Sequence, residues 1–455
     1  MNSKTVKTDV AVLGGGPGGT AAALTAAAAG LKCVIVDSGE PGGTCLNRGC
    51  VPAKSWLAVE HHYRMTKWAE GLGGATAKMY DFEKMKRHQE KVVELGRKGL
   101  DSVFRKKGVE WLRGSGAFSS SRSLSVNDAE ICVEFKQAVI ATGSRPIEIF
   151  GQKENFFSTD TIFDINKLPS SVAIIGGGAS GMEMATFFSG MGCGVTVIEA
   201  LTDVLPTEDD DTTAIVKREL KKSGVLIKTG TKVISAENRS GGCVIETDSG
   251  ELVAETMLTA VGRMPNTKTL SLDKAGVRAD IKGFIEVDGS MATTQDGIYA
   301  IGDVAGKSLL AYTAHHEGIV AARNITGKPA HMDYRFVPSI IFTNPEAASV
   351  GYTESELKQV GRPYRAGKYF VRALARAQAC GEIAGLVKLL VGEDDAILGI
   401  HIAAPHATEL IHSGLMAIQS GMTAHRLADS VYGHPTFSEA IPLAAADALG
   451  ISIYS

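Results

Sequence analysis

The 455-residue chain has no strong excess of either charge: 47 Lys and Arg against 50 Asp and Glu leave a formal net charge of -3. A nucleic-acid-binding face needs a clustered positive excess, and none is present, so no nucleic-acid partner is expected. Long apolar runs are missing too; those present are broken by Gly or are too short to span a bilayer. The opening MNSKTVKTDVAVLGGG lacks the charged start, apolar stretch and small-residue cleavage site of a secretory leader. The expectation is a soluble cytoplasmic protein without membrane contact. Cysteine is sparse and odd in number: Cys33, Cys45, Cys50, Cys132, Cys193, Cys243 and Cys380. Such a scattered set in a reducing compartment argues against a disulfide framework. Any disulfide that forms is then catalytic or redox-sensing. No third Cys or zinc-spaced His stands near Cys45 and Cys50, so no metal is expected.

Glycine, by contrast, is abundant. Fifty-two glycines cluster at strand ends in a chain that is 44% hydrophobic, the pattern of an α/β protein with tight βα turns. The length suggests about three domains. A strand at Asp9 to Leu13 enters GGGPGG, then an Ala-rich helix runs to Gly30 and a strand from Cys33 to Asp37. The pattern returns as a strand Val172 to Ile175, GGGASG, a helix to Met191 and a strand Val195 to Glu199. Thus Gly14, Gly16 and Gly19 lead to Asp37 as Gly176, Gly178 and Gly181 lead to Glu199. One GxGxxG is weak evidence in a glycine-rich chain. Two, each leaving a strand, opening a helix and ending in an acid at the next strand tip, are strong. The first Gly makes the turn, the second lets backbone approach a pyrophosphate, and the third lets helix pack on strand. The pyrophosphate sits at the positive end of a helix, and the acid accepts hydrogen bonds from a ribose diol. Two dinucleotides are implied. Glu199 would repel a 2′-phosphate and no Arg follows it closely, so the second site should prefer NAD. Farther on, AVIATGSR and IYAIGDV each read as an apolar strand ending in a small-residue turn. Asp303 either holds a cofactor hydroxyl or merely forms a turn before a helix.

Cys45 and Cys50 lie in GGTCLNRGCVPAK. They read as two small buried hydrophobes or as a reactive pair. In a regular helix, residues five apart are separated by about 7.5 Å along the axis, and a disulfide needs Cα atoms within about 7 Å. Bridging them demands a distorted first helical turn, which Gly49 would permit, and such strain makes the bond easier to reduce. Lys54, one turn beyond Cys50, is either a solvated lysine or a charge that stabilises a thiolate or a flavin anion. Among eleven histidines, His434 stands out because HPTFSE holds it extended before Pro435. Glu439 either orients its imidazole or closes a capping box with Thr436.

The stretches GGTCLNRGCVPAK, ATGSRP, GGGASGMEMA, AVGRMPNT, YAIGDV, VPSIIFTNPEAASVGYTE and GHPTFSEA, in that order, resemble the two-cysteine flavoprotein disulfide reductases over essentially the whole chain. The resemblance implies an α/β fold with two Rossmann-like dinucleotide-binding domains, the NAD domain inserted in the FAD domain, and a C-terminal α+β dimerisation domain. The implied boundaries are 1–150 and 271–335 for FAD, 151–270 for NAD and 336–455 for the interface. It implies FAD at Gly14, Gly16, Pro17, Gly19, Asp37, Gly43, Thr44, Cys45, Lys54, Gly116, Ala117, Ala141, Thr142, Gly143, Ser144, Gly302, Asp303, Leu310 and Ala311. It implies NAD at Gly176, Gly178, Ala179, Ser180, Gly181, Glu183, Glu199, Val233 and Gly262. Cys45 looks like the interchange thiol and Cys50 like the thiol stacked near the flavin. Lys54 and Glu183 look like the ion pair beside its N5, and His434 with Glu439 like a base that acts across a homodimer.

Within the family, the closest resemblance is to members that oxidise dihydrolipoamide on a lipoyl domain of a multienzyme complex and reduce NAD. The rivals are a reductase of another low-molecular-weight disulfide and a non-catalytic flavin-binding docking subunit. The tail LGISIYS lacks the terminal cysteine pair of the mercuric-ion branch. Ala179, Arg48, Tyr312, His315 and His316 depart from common family residues. Arg48 is expected to lower a thiol pKa or to favour an acidic partner.

Overall fold

The computed structural model describes residues 4–76, 78, 80–151, 153–239 and 242–453. The strand Lys4–Leu13 pairs in parallel with Cys33–Asp37 on one side and Ile131–Ile140 on the other. Val10, Ala11, Val12 and Leu13 are buried without alternation, as a parallel strand covered on both faces requires. Glu110–Arg113 extends one edge, and the antiparallel Ser123–Val126 and Gly116–Ser120 extend the other. The late strand Ile298–Ala300 comes back to the same sheet beside Ile131–Ile140.

Between these visits the chain builds a second, wholly parallel sheet. Its order is Leu226–Lys228, Gly194–Ile198, Ser171–Ile175, Thr256–Thr259, Phe156–Ser158. The antiparallel strands Val233–Arg239, Gly242–Thr247 and Gly250–Ala254 pack on it, sharing a core of Ala173, Ile175, Cys243 and Ile245. The chain leaves and re-enters the first unit through a two-stranded ribbon, Ser144–Pro146 against Arg263–Pro265. A third, antiparallel sheet runs in the order Ser339–Ile341, Glu346–Gly351, Ile397–Ala404, Leu386–Val391, Arg365–Phe370. The helices Ala407–Gln419 and Ala440–Ala448 share its core. The architecture is two Rossmann-like units, the second inserted in the first, followed by an α+β unit. Among the described residues, no helix is long and apolar enough to cross a membrane.

The elements around the two glycine motifs fall within a few residues of the sequence reading. The strands are Lys4–Leu13 and Ser171–Ile175, the helices Pro17–Ala28 and Ala179–Gly190. A long helix, Cys50–Gly71, ties the first unit to the second. Its Trp56 is fully buried, with ring centroids 4.8 Å from Phe187, 5.0 Å from Phe163 and 6.3 Å from Phe188. Phe187 and Phe188 belong to the helix that follows the second glycine motif. Trp56→Ala should therefore destabilise the protein by about 3–5 kcal/mol, the usual cost of emptying an aromatic core site. Trp56→Phe should cost far less, because the buried indole Nε1–H has no hydrogen-bond partner to lose. Denaturant midpoints of the two variants check this.

Candidate active site

Both glycine motifs open onto one cavity of about 1080 Å³, which Cys45, Cys50, Lys54 and Glu183 also line. The first glycines have φ 102° at Gly14 and 108° at Gly176. A Cβ there would stand 2.2 Å from the Ala141 carbonyl oxygen and 2.4 Å from that of Ala260. The third glycines pack on the turns: a Cβ at Gly19 or Gly181 would lie 1.9 or 2.0 Å from the Gly14 or Gly176 oxygen. The middle glycines are open instead, with nothing closer than 3.9 Å to a Cβ at Gly16 and nothing within 4 Å at Gly178. Each motif thus leaves bare backbone facing the cavity. Neither helix has an acid in its first turn or a side chain capping its start. Those free N–H groups fit a pyrophosphate.

The two acids are braced alike. Asp37 accepts from the Gly15 N–H at 2.6 Å and Glu199 from the Gly177 N–H at 2.6 Å. Their other oxygens accept from Gly39 and Leu201 N–H. A carboxylate has about four lone-pair sites, so each acid retains capacity for a ribose diol.

The cysteines stand on either side of a helix break. Gly43–Arg48 forms one helical turn, Gly49 departs to φ −137° and ψ −109°, and Cys50 opens the 22-residue helix. This is the distortion at Gly49 that pairing requires, and it brings both side chains into hydrogen-bond contact. The Cys45 thiol donates to Cys50 sulfur. That bond is the largest influence pulling the Cys50 thiol down to about 7; burial opposes it, and the Lys54 charge adds to it. The same bond, with burial, pushes Cys45 up. Two further effects favour a Cys50 thiolate: it heads an uncapped helix, and Lys54, four residues on, lies on the same helix face. Above a pH of about 7 the pair therefore holds one proton, on Cys45.

Lys54 Nζ meets both Glu183 oxygens at 2.9 and 2.8 Å. Phe342, from the third unit, donates its backbone N–H to Glu183 at 3.0 Å and places its ring 4.6 Å from Lys54 Nζ. Arg48 behaves differently from the sequence expectation. Its Nε lies 3.2 Å from Asp160, and the cation that acts on the thiols is Lys54. Asp160 also takes Arg263 Nη1 at 2.7 Å. Arg263 Nε donates to Ser144 Oγ at 2.7 Å, and Ser144 Oγ donates to Asp303 at 2.5 Å. Asp303 is thus fixed by side chains at the cavity wall and does not cap a helix.

Of the residues expected at the two cofactors, Gly14, Gly16, Pro17, Asp37, Gly43, Thr44, Ala141, Thr142, Gly143, Ser144, Asp303 and Ala311 line the cavity, as do Gly176, Gly178, Ala179, Ser180, Glu199, Val233 and Gly262. Gly19 and Gly181 stand behind the lining as packing positions. Gly116 and Ala117 lie on an edge strand, outside the lining. Gly302 is buried, its N–H donated to Glu317 at 2.5 Å, and Leu310 gives way to its neighbours Leu309 and Ala311. Three lining residues, Asp160, Arg263 and Arg97 (which donates to Asn47 Oδ1), carry no signal in the sequence, and neither does Phe342 beside Lys54. Tyr312 donates to the Pro338 carbonyl at 2.5 Å, and His315 and His316 are exposed.

His434 Nδ1 lies 2.9 Å from Glu439 Oε1, while Glu439 Oε2 accepts the Thr436 N–H at 2.8 Å. One carboxylate thus makes both bonds that the local sequence offered as alternatives. No helix starts at Thr436, however; its hydroxyl turns back to the Gly433 carbonyl, and the helix begins at Ala440. The His434 side chain is 69% exposed and absent from the cavity lining of its own chain. The cysteine geometry yields one expected outcome. In the reduced protein, ultraviolet thiolate absorbance should titrate with a midpoint at about 7. Lys54→Met should move that midpoint upward by about one pH unit.

The model of the pyridine nucleotide-disulphide oxidoreductase family matches residues 8–318, and that of the family's dimerisation domain matches residues 337–445. The chain is 38% identical to a dihydrolipoyl dehydrogenase of Thermus scotoductus over 97% of each protein. It is 36% identical to one of Geobacillus stearothermophilus, over 99% of this chain and 98% of that one. The structure superposes on LpdA from Mycobacterium tuberculosis with a TM-score of 0.90 and 26% identity, covering 96% of this chain and 99% of that one. With both family models matched in order along nearly its whole length, the chain belongs to the pyridine nucleotide-disulphide oxidoreductase family.

Proposed function

We propose that the protein is a dihydrolipoamide dehydrogenase that oxidises dihydrolipoamide carried on a lipoyl domain and reduces NAD+ to NADH. The observation that carries this reading is the Cys45–Cys50 pair, hydrogen-bonded sulfur to sulfur beside the Lys54–Glu183 ion pair in a cavity shared by the two glycine motifs. FAD would lie along Gly14–Gly19, Asp37, Thr142–Ser144 and Asp303; NAD would lie along Gly176–Gly181 and Glu199. Bound FAD supplies the two-electron relay that thiols and nicotinamide cannot make directly. The FAD unit would comprise about 1–150 and 271–335, the NAD unit 151–270 and the interface unit 336–455.

In the oxidised enzyme Cys45 and Cys50 form a disulfide. One dihydrolipoamide sulfur attacks Cys45 as its proton passes to a base, and Cys50 leaves as thiolate. The second substrate thiol then attacks the first substrate sulfur, closing lipoamide and breaking its bond to Cys45. Of the two substrate protons, one passes through the base to Cys45 and the other stays on the base. Cys45 ends as thiol and Cys50 as thiolate, the protonation that the hydrogen bond between them favours. A leaving group with a pKa of about 7 is a good one at neutral pH.

The base is the partner subunit's His434. The dimerisation-domain match supports a homodimer. The exposure of this imidazole, outside its own chain's cavity, supports its serving a second one. Its Nδ1–H donates to Glu439, leaving Nε2 to take and return the proton. Lys54 holds positive charge where electrons accumulate, and Glu183 and Phe342 fix its position.

Mixing the flavin-loaded protein with dihydrolipoamide and NAD+ should produce NADH, with NADP+ giving little because Glu199 meets the 2′-phosphate. Flavin reduction by NADH without turnover of dihydrolipoamide would overturn the substrate assignment. His434→Gln should lower kcat about 10²–10⁴-fold while bound flavin is retained, the range for loss of a general base. Cys45→Ser should abolish the dihydrolipoamide half-reaction.

A further inference from the structure

The segment that follows Glu199 is held at its far end by a unit of which no described residue lines the cavity. Ala200, Leu201 and Pro206 line the cavity, and the segment ends at the buried Glu208 and Asp209. Asp209 caps the helix Asp210–Lys222, accepting from the Asp211 N–H. Its two oxygens also accept from Lys388 Nζ at 2.8 and 3.0 Å. Lys388 sits in the strand Leu386–Val391 of the third sheet and is 1% exposed. It donates further to Asp211 at 2.7 Å and to Glu354 at 2.5 Å. Glu208 is tied to the same unit, accepting from Ser339 Oγ at 2.6 Å and Ser349 Oγ at 2.8 Å.

The charges are not interchangeable. Asp211 has a second cation in Lys368 at 2.8 Å, and Glu354 has Lys358 at 3.0 Å. Among the described residues, Asp209 has Lys388 alone. Burial works against the Lys388 charge, and the bonds to the three carboxylates outweigh it, holding its pKa above the ordinary value. A buried ion cluster is weak evidence for stability as such, since apolar replacements of similar volume often serve as well. What it does secure is geometry: it pins one end of a loop whose other end is the ribose-facing acid. A loop fixed at both ends pays less ordering entropy when a ligand closes on it.

We propose that Lys388 is a positioning residue for NAD, pinning Asp209 and with it the 200–209 segment, so that affinity at the second glycine motif is set from the interface unit. The proposal rests on the reading of Glu199 as the acid at the NAD ribose. It requires no contact between Lys388 and the dinucleotide.

Two variants test it in the flavin-loaded dimer. Lys388→Met removes the cation. Asp209→Asn keeps a helix-capping acceptor and removes the tethered charge. Calorimetric titration with NAD+ should show the dissociation constant rising about tenfold in Lys388→Met, within the usual range of coupling between sites, and by less in Asp209→Asn. The KM for dihydrolipoamide and the thiolate titration should stay at wild-type values, and Lys388→Arg should recover most of the affinity. A merely structural role would lower thermal stability and leave NAD affinity alone. Wild-type NAD affinity in both variants overturns the proposal; if Lys388→Met does not fold, Asp209→Asn decides by itself. A wild-type protein that binds no NAD+ overturns the reading of the second glycine motif, and the proposal with it.

Discussion

Glu183 is the point at which the three units meet. It lies on the helix of the second glycine motif, accepts Lys54 from the helix that begins at Cys50, and accepts the Phe342 N–H from the third unit. Only 6% exposed, it is a carboxylate that must be compensated on every side. The three units contribute one group each and so are held in register at this carboxylate. The reactive cysteine is attached to the same register. Cys50 heads the helix that carries Lys54, and Trp56, two residues further, is buried against the aromatic residues of the Glu183 helix.

The same division of labour recurs across the molecule. Within units, burial is apolar and follows strand and helix periodicity, as in the cores beneath the first and third sheets. Between units the apolar seam around Trp56 is joined by ionic contacts. Asp160 receives one arginine from beside the cysteines and one from the ribbon, and Lys388 gathers carboxylates from the inserted unit and from its own. Charged contacts demand specific geometry where apolar ones tolerate sliding. A site assembled from three units benefits from that intolerance at its seams.

The local features of the site were legible in the sequence because each is written within a short window. Gly14 and Gly176 need positive φ, Gly19 and Gly181 need the absence of a Cβ, and Gly49 needs a broken helical turn. What escaped was non-local. Asp160 and Arg263 stand 103 positions apart, Glu183 and Phe342 159 apart, and Asp209 and Lys388 179 apart. No periodicity marks either partner of such a pair. Arg48 lies between the two cysteines in sequence, which offers it either the thiols or an acidic partner; its length lets it reach Asp160 rather than the thiols. Glu439 shows a different limit. A four-residue pattern shared by a capping box and a histidine-orienting acid cannot separate the two, and the carboxylate uses one oxygen for each.

The ribbon of Ser144–Pro146 against Arg263–Pro265 has a meaning for the history of the chain. Because the strand that leaves the first unit hydrogen-bonds to the strand that returns, the two ends of the inserted unit lie side by side. An insertion with adjoining ends can be gained, lost or exchanged without disturbing the sheet that hosts it. An exchange of the inserted unit would therefore leave the host sheet intact, but the incoming unit would have to rebuild the contacts of Glu183 with Lys54 and of Phe187 with Trp56.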